Sequence, residues 1–358
     1  MSPDASQLAE RLARQIHASG PISVAEYMRL SNLEYYAKGT AFGVEGDFIT
    51  APEVSQMFGE LIGLWLTDQW MRMNRPDNCH YVELGPGRGV LAADALRCMA
   101  RFEFEPRITF VENSEALQEV QTAHVQSAQI IVDIDELPDD GPLLIVANEF
   151  FDALPVQQIV ATHSGWRERV VATGKAGQFM AMPGTAPMDN LVPSDFRNAP
   201  PSSIYETSPD TGTVMYEIAG RLARQGGAML VVDYGYLLPG LGSTLQAVKN
   251  HQQVDPFENP GECDLTAHVN FLEIANLARM RELRVSGPVE QGAWLKELGI
   301  EARASQLAVA SPERADEIME ARDRLVNADQ MGSLFKVLAV SSTDWPTPEG
   351  FVSLRPEL

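Results

Sequence analysis

One acidic residue and three alternating glycines form the most distinctive chemical pattern in this sequence. The pattern reads Glu83-Leu84-Gly85-Pro86-Gly87-Arg88-Gly89, after a strand-like apolar run and before a helical pattern over Val90–Ala100. Glycines at such a junction let the backbone turn sharply and approach a ligand closely. The helix that follows starts with N–H groups that have no intrahelical partner. The pattern predicts a ligand-binding loop at Gly85, Gly87 and Gly89; the alternative is a glycine-rich turn that binds nothing.

The position of Glu83 separates two kinds of nucleotide ligand. A dinucleotide loop has the spacing G-x-G-x-x-G and places a pyrophosphate at the helix N-terminus. Here the spacing is G-x-G-x-G, and Val90 stands where the third dinucleotide glycine is expected. The Glu83 carboxylate would repel a pyrophosphate and attract an amino group. S-adenosyl-L-methionine has a cationic amino acid tail and no phosphate, so the pattern favours it over NAD. An oxidoreductase is the weakest interpretation.

Acidic residues also follow the next two predicted strands. Glu112 comes after Ile108–Val111, and Asp133 comes after Ile130–Val132. Ligands of open α/β sheets bind at the carboxyl ends of the strands, where an acid can accept the ribose hydroxyls. We expect Glu112 to bind the ribose and Asp133 to bind the adenine amino group, with Ile134 packing on the ring. The alternatives are a first-turn helix acid for Glu112 and a loop carboxylate for Asp133.

The fourth predicted strand, Leu143–Ala147, leads into a polar and aromatic segment. This segment reads Asn148-Glu149-Phe150-Phe151-Asp152-Ala153-Leu154-Pro155. We expect Asn148 to contact the cofactor, and Phe150 and Phe151 to line a substrate pocket beside the reactive methyl group. Core aromatics flanked by surface acids are the alternative.

The elements that position these residues alternate along the chain. Strand-like runs separated by helical patterns predict an α/β fold with a parallel sheet covered on both faces. Helical spacing of Leu8, Leu12 and Ile16 predicts an N-terminal helix. Capping patterns at Ser23 and Thr50 start two more helices, the first reaching Met28 and the second about Met73. We predict an N-terminal helical segment at 1–75 that packs on the core, a catalytic domain at 76–341 with insertions at about 156–204 and 237–305, and a tail at 342–358.

Composition excludes several classes of protein. The chain has 358 residues, of which 45% are apolar and 21% charged, and its net charge of −22 disfavours direct binding to nucleic acid. No run of apolar residues is long enough to span a membrane, and the first twenty residues lack a signal peptide's apolar core. Three widely spaced cysteines form no zinc or disulfide pattern. We therefore expect no metal site and a cytoplasmic location; oligomer formation stays open.

With these residues, the sequence resembles the MidA-like family of S-adenosyl-L-methionine-dependent methyltransferases, which includes mitochondrial arginine methyltransferases needed for assembly of respiratory complex I. The resemblance extends over nearly the whole chain and keeps the family's order of motifs. The stretches that carry it are Gly46–Glu60, Glu83–Gly89, Asn148–Pro155, Tyr205–Pro209, Val232–Gly235, Asp255–Val269 and Met331–Lys336.

The resemblance implies a class I methyltransferase (Rossmann-like) fold, a seven-stranded mostly parallel sheet with N-terminal helices and an inserted lobe. It also implies S-adenosyl-L-methionine as methyl donor and, for the mitochondrial members, an arginine of a complex I (NADH dehydrogenase) subunit as substrate. There are two alternatives. The protein could methylate another protein residue or a small molecule, or it could be an assembly factor that binds the cofactor without catalysis.

An arginine substrate would need carboxylates to orient its guanidinium group. Glu149 and Asp152 are the first candidates for this catalytic role, followed by Glu206 and Asp47. The structural alternatives are a helix N-terminal acid for Glu206 and a turn former for Asp47. His268 is a candidate for the polar wall of the substrate pocket, with a structural histidine as the alternative. The turn-rich segments 39–52 and 240–265 are candidate lids.

Overall fold

Strands and helices alternate through most of the structure, as the sequence pattern predicts. The computed structural model describes residues 3–37, 50–175, 177–249 and 252–351. The helices of the described residues are α1 (Pro3–Ser19), α2 (Val24–Tyr36), α3 (Ala51–Val54), α4 (Gln56–Arg72), α5 (Val90–Ala100), α6 (Glu115–His124), α7 (Pro209–Gln225), α8 (Phe271–Met280), α9 (Gln291–Glu297), α10 (Ile300–Ala310), α11 (Ala315–Val326) and α12 (Met331–Leu334).

The strands are shorter on average and fall into separate sheets. They are β1 (Ile22–Ser23), β2 (His80–Leu84), β3 (Arg107–Val111), β4 (Gln129–Ile131), β5 (Leu143–Asn148), β6 (Gln157–Thr162), β7 (Gly165–Thr173), β8 (Phe179–Pro187), β9 (Ile204–Thr207), β10 (Gly227–Tyr236), β11 (Gln246–Lys249), β12 (Gln252–Val254), β13 (Asp264–Thr266), β14 (Val269–Asn270), β15 (Arg284–Glu290) and β16 (Phe335–Ser341).

Two compact units share the chain. The first unit comprises Met1–Phe48, Asp152–Thr213 and Leu238–Asn270; the second comprises Ile49–Phe151, Val214–Leu237 and Phe271–Leu358. This division differs from the sequence-based boundaries in two places. Helices α3 and α4 belong to the second unit rather than to an N-terminal segment, because α4 buries its apolar residues in the same core as the main sheet. The predicted insertion at 237–305 is divided between the units, because Leu238–Asn270 belongs to the first unit and the residues from Phe271 onward belong to the second.

The main sheet of the second unit fulfils the predicted topology. Seven of its described strands lie in the order β15-β16-β10-β5-β2-β3-β4. Neighbours from β4 to β10 are parallel, whereas β16 runs antiparallel to both β10 and β15. Every residue of β2 and β5 is buried, in agreement with their continuous apolar sequences. The strand order reverses between β2 and β5, and ligands of α/β sheets bind beside such a reversal.

Helices α4 and α5 of the second unit pack unusually closely. A Cβ atom on Gly63 would lie only 2.5 Å from the carbonyl oxygen of Ala95.

The single helix predicted from Thr50 to about Met73 is divided in the structure, because Ser55 has extended backbone (φ −164°, ψ 140°). Its hydroxyl accepts a hydrogen bond from Met57 N at 3.2 Å and so caps α4. Thr50 makes no side-chain cap.

The first unit combines two helices with two small sheets. Strands β6, β7 and β9 form an antiparallel sheet, with β1 and β8 also paired to β7. The predicted turn at 174–177 joins β7 and β8, and Gly177 N donates to Gly174 O at 2.9 Å. Ser23 caps α2 through a 3.0 Å bond from Glu26 N, and α2 extends to Tyr36, beyond the predicted end at Met28. Leu8, Leu12 and Ile16 of α1 lie in this unit's core, as predicted.

Candidate functional site

The glycine loop after β2 adopts backbone conformations that require glycine. Gly85, Gly87 and Gly89 have φ angles of +61°, +52° and +79°, in the left-handed region that is unfavourable for residues with a Cβ atom. Gly85 N donates to Val111 O at 3.0 Å, which ties the start of the loop to β3. Gly89 is the N-cap residue of α5 and provides no side-chain cap. No N-cap side chain therefore accepts a hydrogen bond from the first N–H groups of α5, which face the loop.

Glu83 lies at the end of β2 with a buried carboxyl group. Its side chain is 3% exposed, and Tyr81 Oη donates to its Oε2 at 2.5 Å. Burial raises the pKa of Glu83 to about 8, with the Tyr81 hydrogen bond acting in the opposite direction. A buried carboxyl next to an open glycine loop suits a cationic ligand group, because a cation offsets the cost of burying the charge.

Glu112 follows β3 and is held at both carboxylate oxygens. Ser114 N donates to Oε1 at 2.8 Å, and Gln121 Nε2 donates to Oε2 at 3.1 Å. Burial raises the pKa of Glu112, and these hydrogen bonds lower it. The carboxylate is thus fixed in orientation, and each oxygen keeps lone-pair capacity for a hydroxyl donor. Such an arrangement suits a ribose diol.

Gln121 is a residue that the sequence analysis missed. It is fully buried on the inner face of α6, and its amide nitrogen also donates to Gly87 O at 2.8 Å. The available signal was a polar residue four positions after buried Leu117, on the face where a helix of this type normally places apolar side chains.

Asp133 and Ile134 follow β4 as predicted, but Asp133 already has a structural role. It caps the short 3₁₀ helix Ile134–Glu136, since its Oδ1 accepts from Asp135 N at 3.0 Å. Glu136 Oε1 in turn accepts from Asp133 N at 3.3 Å. Asp133 is exposed and Ile134 is partly buried. Both residues lie at the carboxyl edge of the sheet, and their contact with adenine stays a prediction.

The segment after β5 contains the strained residue of the site. Glu149 has φ +49°, a conformation that costs about 1 kcal/mol or more for a residue other than glycine. Its N–H donates to Val232 O at 2.9 Å. Its Oε1 accepts from Ala51 N at 3.2 Å and from Asn148 Nδ2 at 3.3 Å. These contacts fix the backbone and the carboxylate together.

Asn148 and the two aromatic residues line the same part of the second unit. Asn148 Oδ1 is buried without a hydrogen-bond partner in the structure, so it can accept from a ligand. The Phe150 ring packs over the glycine loop, since a Cβ on Gly85 would lie 3.0 Å from Phe150 Cδ2. The rings of Phe150 and Phe151 meet edge to face, with centroids 5.2 Å apart and planes at 83°. Phe151 is buried and Phe150 is partly exposed.

Asp233, on β10, holds this segment in place and was not selected from the sequence. Its side chain is fully buried; Oδ2 accepts from Phe151 N at 3.0 Å and Oδ1 from Tyr234 N at 2.9 Å. An acid directly after the apolar run Met229–Val232 is the signal that could have identified it, because a charge in a buried strand requires dedicated donors.

The first unit contains Asp152, the second acid of the motif, close to Tyr36. Asp152 is buried. Tyr36 Oη donates to Asp264 Oδ2 at 2.9 Å. Burial and the negative charges of Asp264 and Asp152 raise the pKa of Tyr36. Asp152 therefore belongs to a small acidic cluster with Asp264 beside a tyrosine hydroxyl.

Glu206 anchors a loop of the first unit. Thr244 N and Thr244 Oγ1 donate to its Oε2 at 3.0 and 2.5 Å, and Gln158 Nε2 donates to its Oε1 at 2.6 Å. These contacts give Glu206 a structural role in holding the loop, and the catalytic role predicted from the sequence stays a prediction. The Thr244 hydroxyl also accepts from His268 N at 3.0 Å, so Glu206 and His268 are linked through Thr244. Asp47 lies outside the described residues.

The groups of the second unit together fit S-adenosyl-L-methionine. Glu83 offers a buried carboxyl for an ammonium group, the glycines offer close backbone approach, and Glu112 offers an oriented carboxylate for a diol. A family model described as "Putative S-adenosyl-L-methionine-dependent methyltransferase" matches residues 61–289, well over half of the chain. The chain belongs to this family. S-adenosyl-L-methionine is its methyl donor, and the predicted cofactor is confirmed.

Curated relatives and solved structures agree with this assignment. The methyltransferase is 36% identical to the "Protein arginine methyltransferase NDUFAF7 homolog, mitochondrial" of Drosophila melanogaster, over 93% of this chain and 84% of the relative. It is 32% identical to the human NDUFAF7, over 93% of this chain and 83% of the relative. An uncharacterized protein from Burkholderia thailandensis superposes with a TM-score of 0.82 at 26% identity, covering 98% of this chain and 97% of its own.

A second Burkholderia thailandensis structure contains S-adenosyl-homocysteine. It superposes on the methyltransferase with a TM-score of 0.79 at 24% identity, covering 99% of this chain and 95% of its own. At this identity the similarity supports the fold alone. The predicted class I methyltransferase fold is confirmed by both structures and by the strand order of the main sheet.

The cytoplasmic location predicted for the methyltransferase is wrong, because the curated relatives are named as mitochondrial proteins. Its cysteines, Cys79, Cys98 and Cys263, are free thiols. Free thiols do not identify a cellular compartment, so the inference from cysteine usage was too specific. In the part of the chain that the structure describes, no helix has the length and hydropathy to cross a membrane.

Proposed function

We propose that this methyltransferase methylates an arginine side chain of a protein, and that the protein is a subunit of respiratory complex I whose assembly it assists. The curated relatives, matched over more than nine tenths of this chain, are named protein arginine methyltransferases. The structural observation that carries the proposal is Glu149, a carboxylate fixed by two hydrogen bonds on a strained turn at the end of β5. A fixed carboxylate is what a guanidinium substrate requires. The complex I subunit rests on the family resemblance.

The cofactor roles that we propose follow the carboxyl edge of the main sheet. Glu83 binds the ammonium group, and Gly85, Gly87 and Gly89 let the backbone approach the amino acid tail. Glu112 accepts the ribose hydroxyls, while Asp133 and Ile134 contact the adenine. Asn148 accepts a hydrogen bond from the cofactor through its unpartnered Oδ1. Bound S-adenosyl-L-methionine supplies an electrophilic methyl group on a positively charged sulfur.

The protein's chemical task is to orient an arginine that is protonated at any working pH. A guanidinium nitrogen attacks the methyl carbon; the N–C bond forms as the C–S bond breaks, and one proton leaves the nitrogen. Glu149 orients the guanidinium and draws its positive charge away from the attacking nitrogen. Glu149 or Asp152 receives the proton. Phe150 and Phe151 exclude water from the reacting groups.

The remaining candidates of the first unit have supporting roles in this proposal. Glu206 accepts from Thr244 N at Oε1 (3.1 Å) and from the Thr244 hydroxyl at Oε2, and the Thr244 hydroxyl in turn holds the backbone of His268. We propose that this linked set fixes the backbone at His268, the polar residue proposed from the sequence for contact with the substrate. Asp47 remains a catalytic candidate from the sequence.

The test is methyl transfer to paired peptides. Peptides from complex I subunits that contain arginine, and matched peptides with lysine in its place, are incubated with the protein and S-adenosyl-L-methionine and analysed by mass spectrometry. We expect methylarginine only. Glu149→Gln and Asp152→Asn should each lower kcat at least a hundredfold while S-adenosyl-homocysteine affinity stays within threefold. Asp139→Asn, which alters an exposed acid away from the motif, is the control.

Other outcomes identify the alternatives. Detection of methyllysine, or of a methylated small molecule, would show that lysine or that small molecule, rather than arginine, is the substrate. Full turnover by Glu149→Gln would remove Glu149 from the mechanism. Cofactor binding without transfer to complex I subunits or to the peptides would support the assembly factor without catalysis.

A further inference from the structure

The Gln121 side chain connects two parts of the cofactor site that are distant in sequence. It is fully buried, and its single amide nitrogen makes two hydrogen bonds. One goes to Gly87 O at 2.8 Å, in the middle of the glycine loop. The other goes to Glu112 Oε2 at 3.1 Å, at the end of β3. Both N–H bonds of the amide nitrogen are thus used.

Helix α6 is placed so that Gln121 reaches both partners. Ser114 starts the helix, and its Oγ accepts from Leu117 N at 3.4 Å. The helix then packs beside Gly89, where an added Cβ would lie 3.7 Å from Gln121 Cα. Glu112 N donates to Ile131 O at 2.9 Å, which fixes the backbone of Glu112 to the neighbouring strand. The Glu112 backbone is thus held without Gln121, so the Gln121 amide acts on the Glu112 carboxylate at one end and on the Gly87 carbonyl of the glycine loop at the other.

We propose that Gln121 is a positioning residue for S-adenosyl-L-methionine, and that its amide sets the spacing between the glycine loop and the Glu112 carboxylate. The inference rests on the cofactor roles proposed above for Gly87 and Glu112. The glycine loop receives the amino acid tail and Glu112 receives the ribose, so a fixed spacing lets both ends of one rigid ligand bind at once. Preorganisation of this kind lowers the entropy lost on binding.

The amide also controls the charge state and rotamer of Glu112. Ser114 N holds Oε1, so loss of the Gln121 bond would leave Oε2 free to rotate away from the ribose. Hydrogen bonds from Ser114 and Gln121 favour the ionised carboxylate against the effect of burial. Only the ionised form offers acceptors at both oxygens for two ribose hydroxyls.

The test is titration of the full-length protein with S-adenosyl-homocysteine. Gln121→Leu puts an apolar side chain of similar size in place of the amide and removes both N–H donors. We expect its Kd to rise about tenfold to a hundredfold, the range for a lost hydrogen bond to a charged group. Gln118→Leu is the matched control on the same helix, because Gln118 donates to the backbone oxygen of Glu112 at 2.8 Å rather than to its carboxylate. Its Kd should stay within threefold of wild type.

Three further measurements separate positioning from a general loss of structure. Thermal unfolding shows whether Gln121→Leu is folded. If that variant does not fold, Gln121→Met, which has a flexible unbranched side chain, is used in its place. The additional loss of affinity that protonation of Glu112 causes at acidic pH should begin at a higher pH in Gln121→Leu than in wild type, because the Glu112 carboxylate loses a donor. In a Glu112→Gln background, removal of the Gln121 amide should have less than a threefold further effect.

Three outcomes would contradict the positioning role of Gln121 or the cofactor site on which it rests. A folded Gln121 variant with wild-type affinity and an unchanged pH profile would overturn the positioning role while leaving the methyltransferase assignment intact. Additive effects of Glu112→Gln and Gln121→Leu would also overturn it. Absence of S-adenosyl-homocysteine binding by wild type would instead remove the proposed cofactor site itself.

Discussion

Glu83 has to change its protonation state to do what we propose. In the free protein, burial raises the pKa of its carboxyl to about 8, so the group is largely neutral near pH 7. An ammonium group beside it would favour the ionised form. Binding of the cofactor tail should therefore release a proton from Glu83 at neutral pH, and the affinity should depend on pH.

We predict that S-adenosyl-homocysteine affinity rises with pH up to about 8, with a slope of at most about tenfold per pH unit, and falls at higher pH where the ligand's own ammonium group loses its proton. Glu83→Gln should bind much more weakly and lose this dependence. Titration calorimetry in two buffers of different ionisation enthalpy measures the proton release directly. Equal pH profiles for wild type and Glu83→Gln would show that another group is responsible.

The same carboxyl affects the stability of the free protein. Its pKa in the folded state is raised from 4.5 to about 8, so between these pH values the folded state holds a proton that the unfolded chain has released. The free energy of unfolding contributed by Glu83 is therefore present below pH 4.5 and is lost as pH rises to about 8. Glu83→Gln should be more stable than wild type at pH 8.5 by on the order of 1 kcal/mol or more, measured by urea unfolding without ligand.

Single buried polar residues were the part of the site that the sequence did not indicate. Glu83, Glu112 and the glycines occur in a motif or directly after a strand, so their type and place were informative. Gln121 and Asp233 are single polar residues in apolar surroundings, and each has a backbone partner that is distant in sequence, Gly87 O for Gln121 and Phe151 N for Asp233. Pairings of this kind depend on tertiary contacts, which periodicity does not encode.

At the scale of elements, the contact between α4 and α5 limits which residues position 63 can hold. A Cβ on Gly63 would lie 2.5 Å from Ala95 O and 2.8 Å from Ala95 Cα, which are backbone atoms of the facing helix. Backbone atoms cannot rotate away as the end of a side chain can, so the two helices would have to separate.

We predict that Gly63→Ala lowers the free energy of unfolding by about 1–3 kcal/mol, the usual effect of overpacking. Gly212→Ala is the matched control, because it lies in helix α7 and an added Cβ would meet no atom within 4 Å. That substitution should raise stability by about 0.5–1 kcal/mol, since alanine restricts the unfolded chain. Urea unfolding measures both. Similar effects in the two variants would mean that α4 and α5 can separate easily.

Element types were predicted from the sequence more successfully than element ends. Continuous apolar runs identified the central strands because both faces of the parallel sheet are buried. The division of the helix at Ser55 was missed, since the Thr50 capping pattern and the apolar stripe ran across it. Helix α2 was expected to end near Met28, yet it continues to Tyr36 because Ser31, Asn32 and Tyr35 are buried in its unit. Asn32 Nδ2 donates to Leu265 O at 2.8 Å, a partner distant in sequence.

At the scale of the whole molecule, net charge has a consequence for the proposed substrate. The chain carries a net charge of −22, so its field attracts a basic segment such as one that contains arginine. Long-range attraction of this kind acts mainly on association and is screened by salt.

We predict that raising the salt concentration from about 50 to about 300 mM increases KM for an arginine peptide severalfold, because the Debye length falls below about 10 Å. The kcat value should change by less than twofold, since the methyl-transfer step is local. A peptide with the same arginine and neutral flanking residues is the control and should respond less. Steady-state kinetics at several salt concentrations measure this. An equal response of both peptides would exclude electrostatic attraction to the flanks.

The order in which the chain supplies its strands has a consequence for biosynthesis. The first unit uses three separate segments, the last of which ends at Asn270. In the second unit β16, at Phe335–Ser341, lies between β10 and β15. Synthesis proceeds from the N-terminus, so the edge of β10 that pairs with β16 has no partner while about a hundred further residues are made. At ordinary elongation rates this takes on the order of 5–20 s. Unpaired edges favour aggregation, so this protein should depend on chaperones during synthesis more than a chain whose neighbouring strands are consecutive.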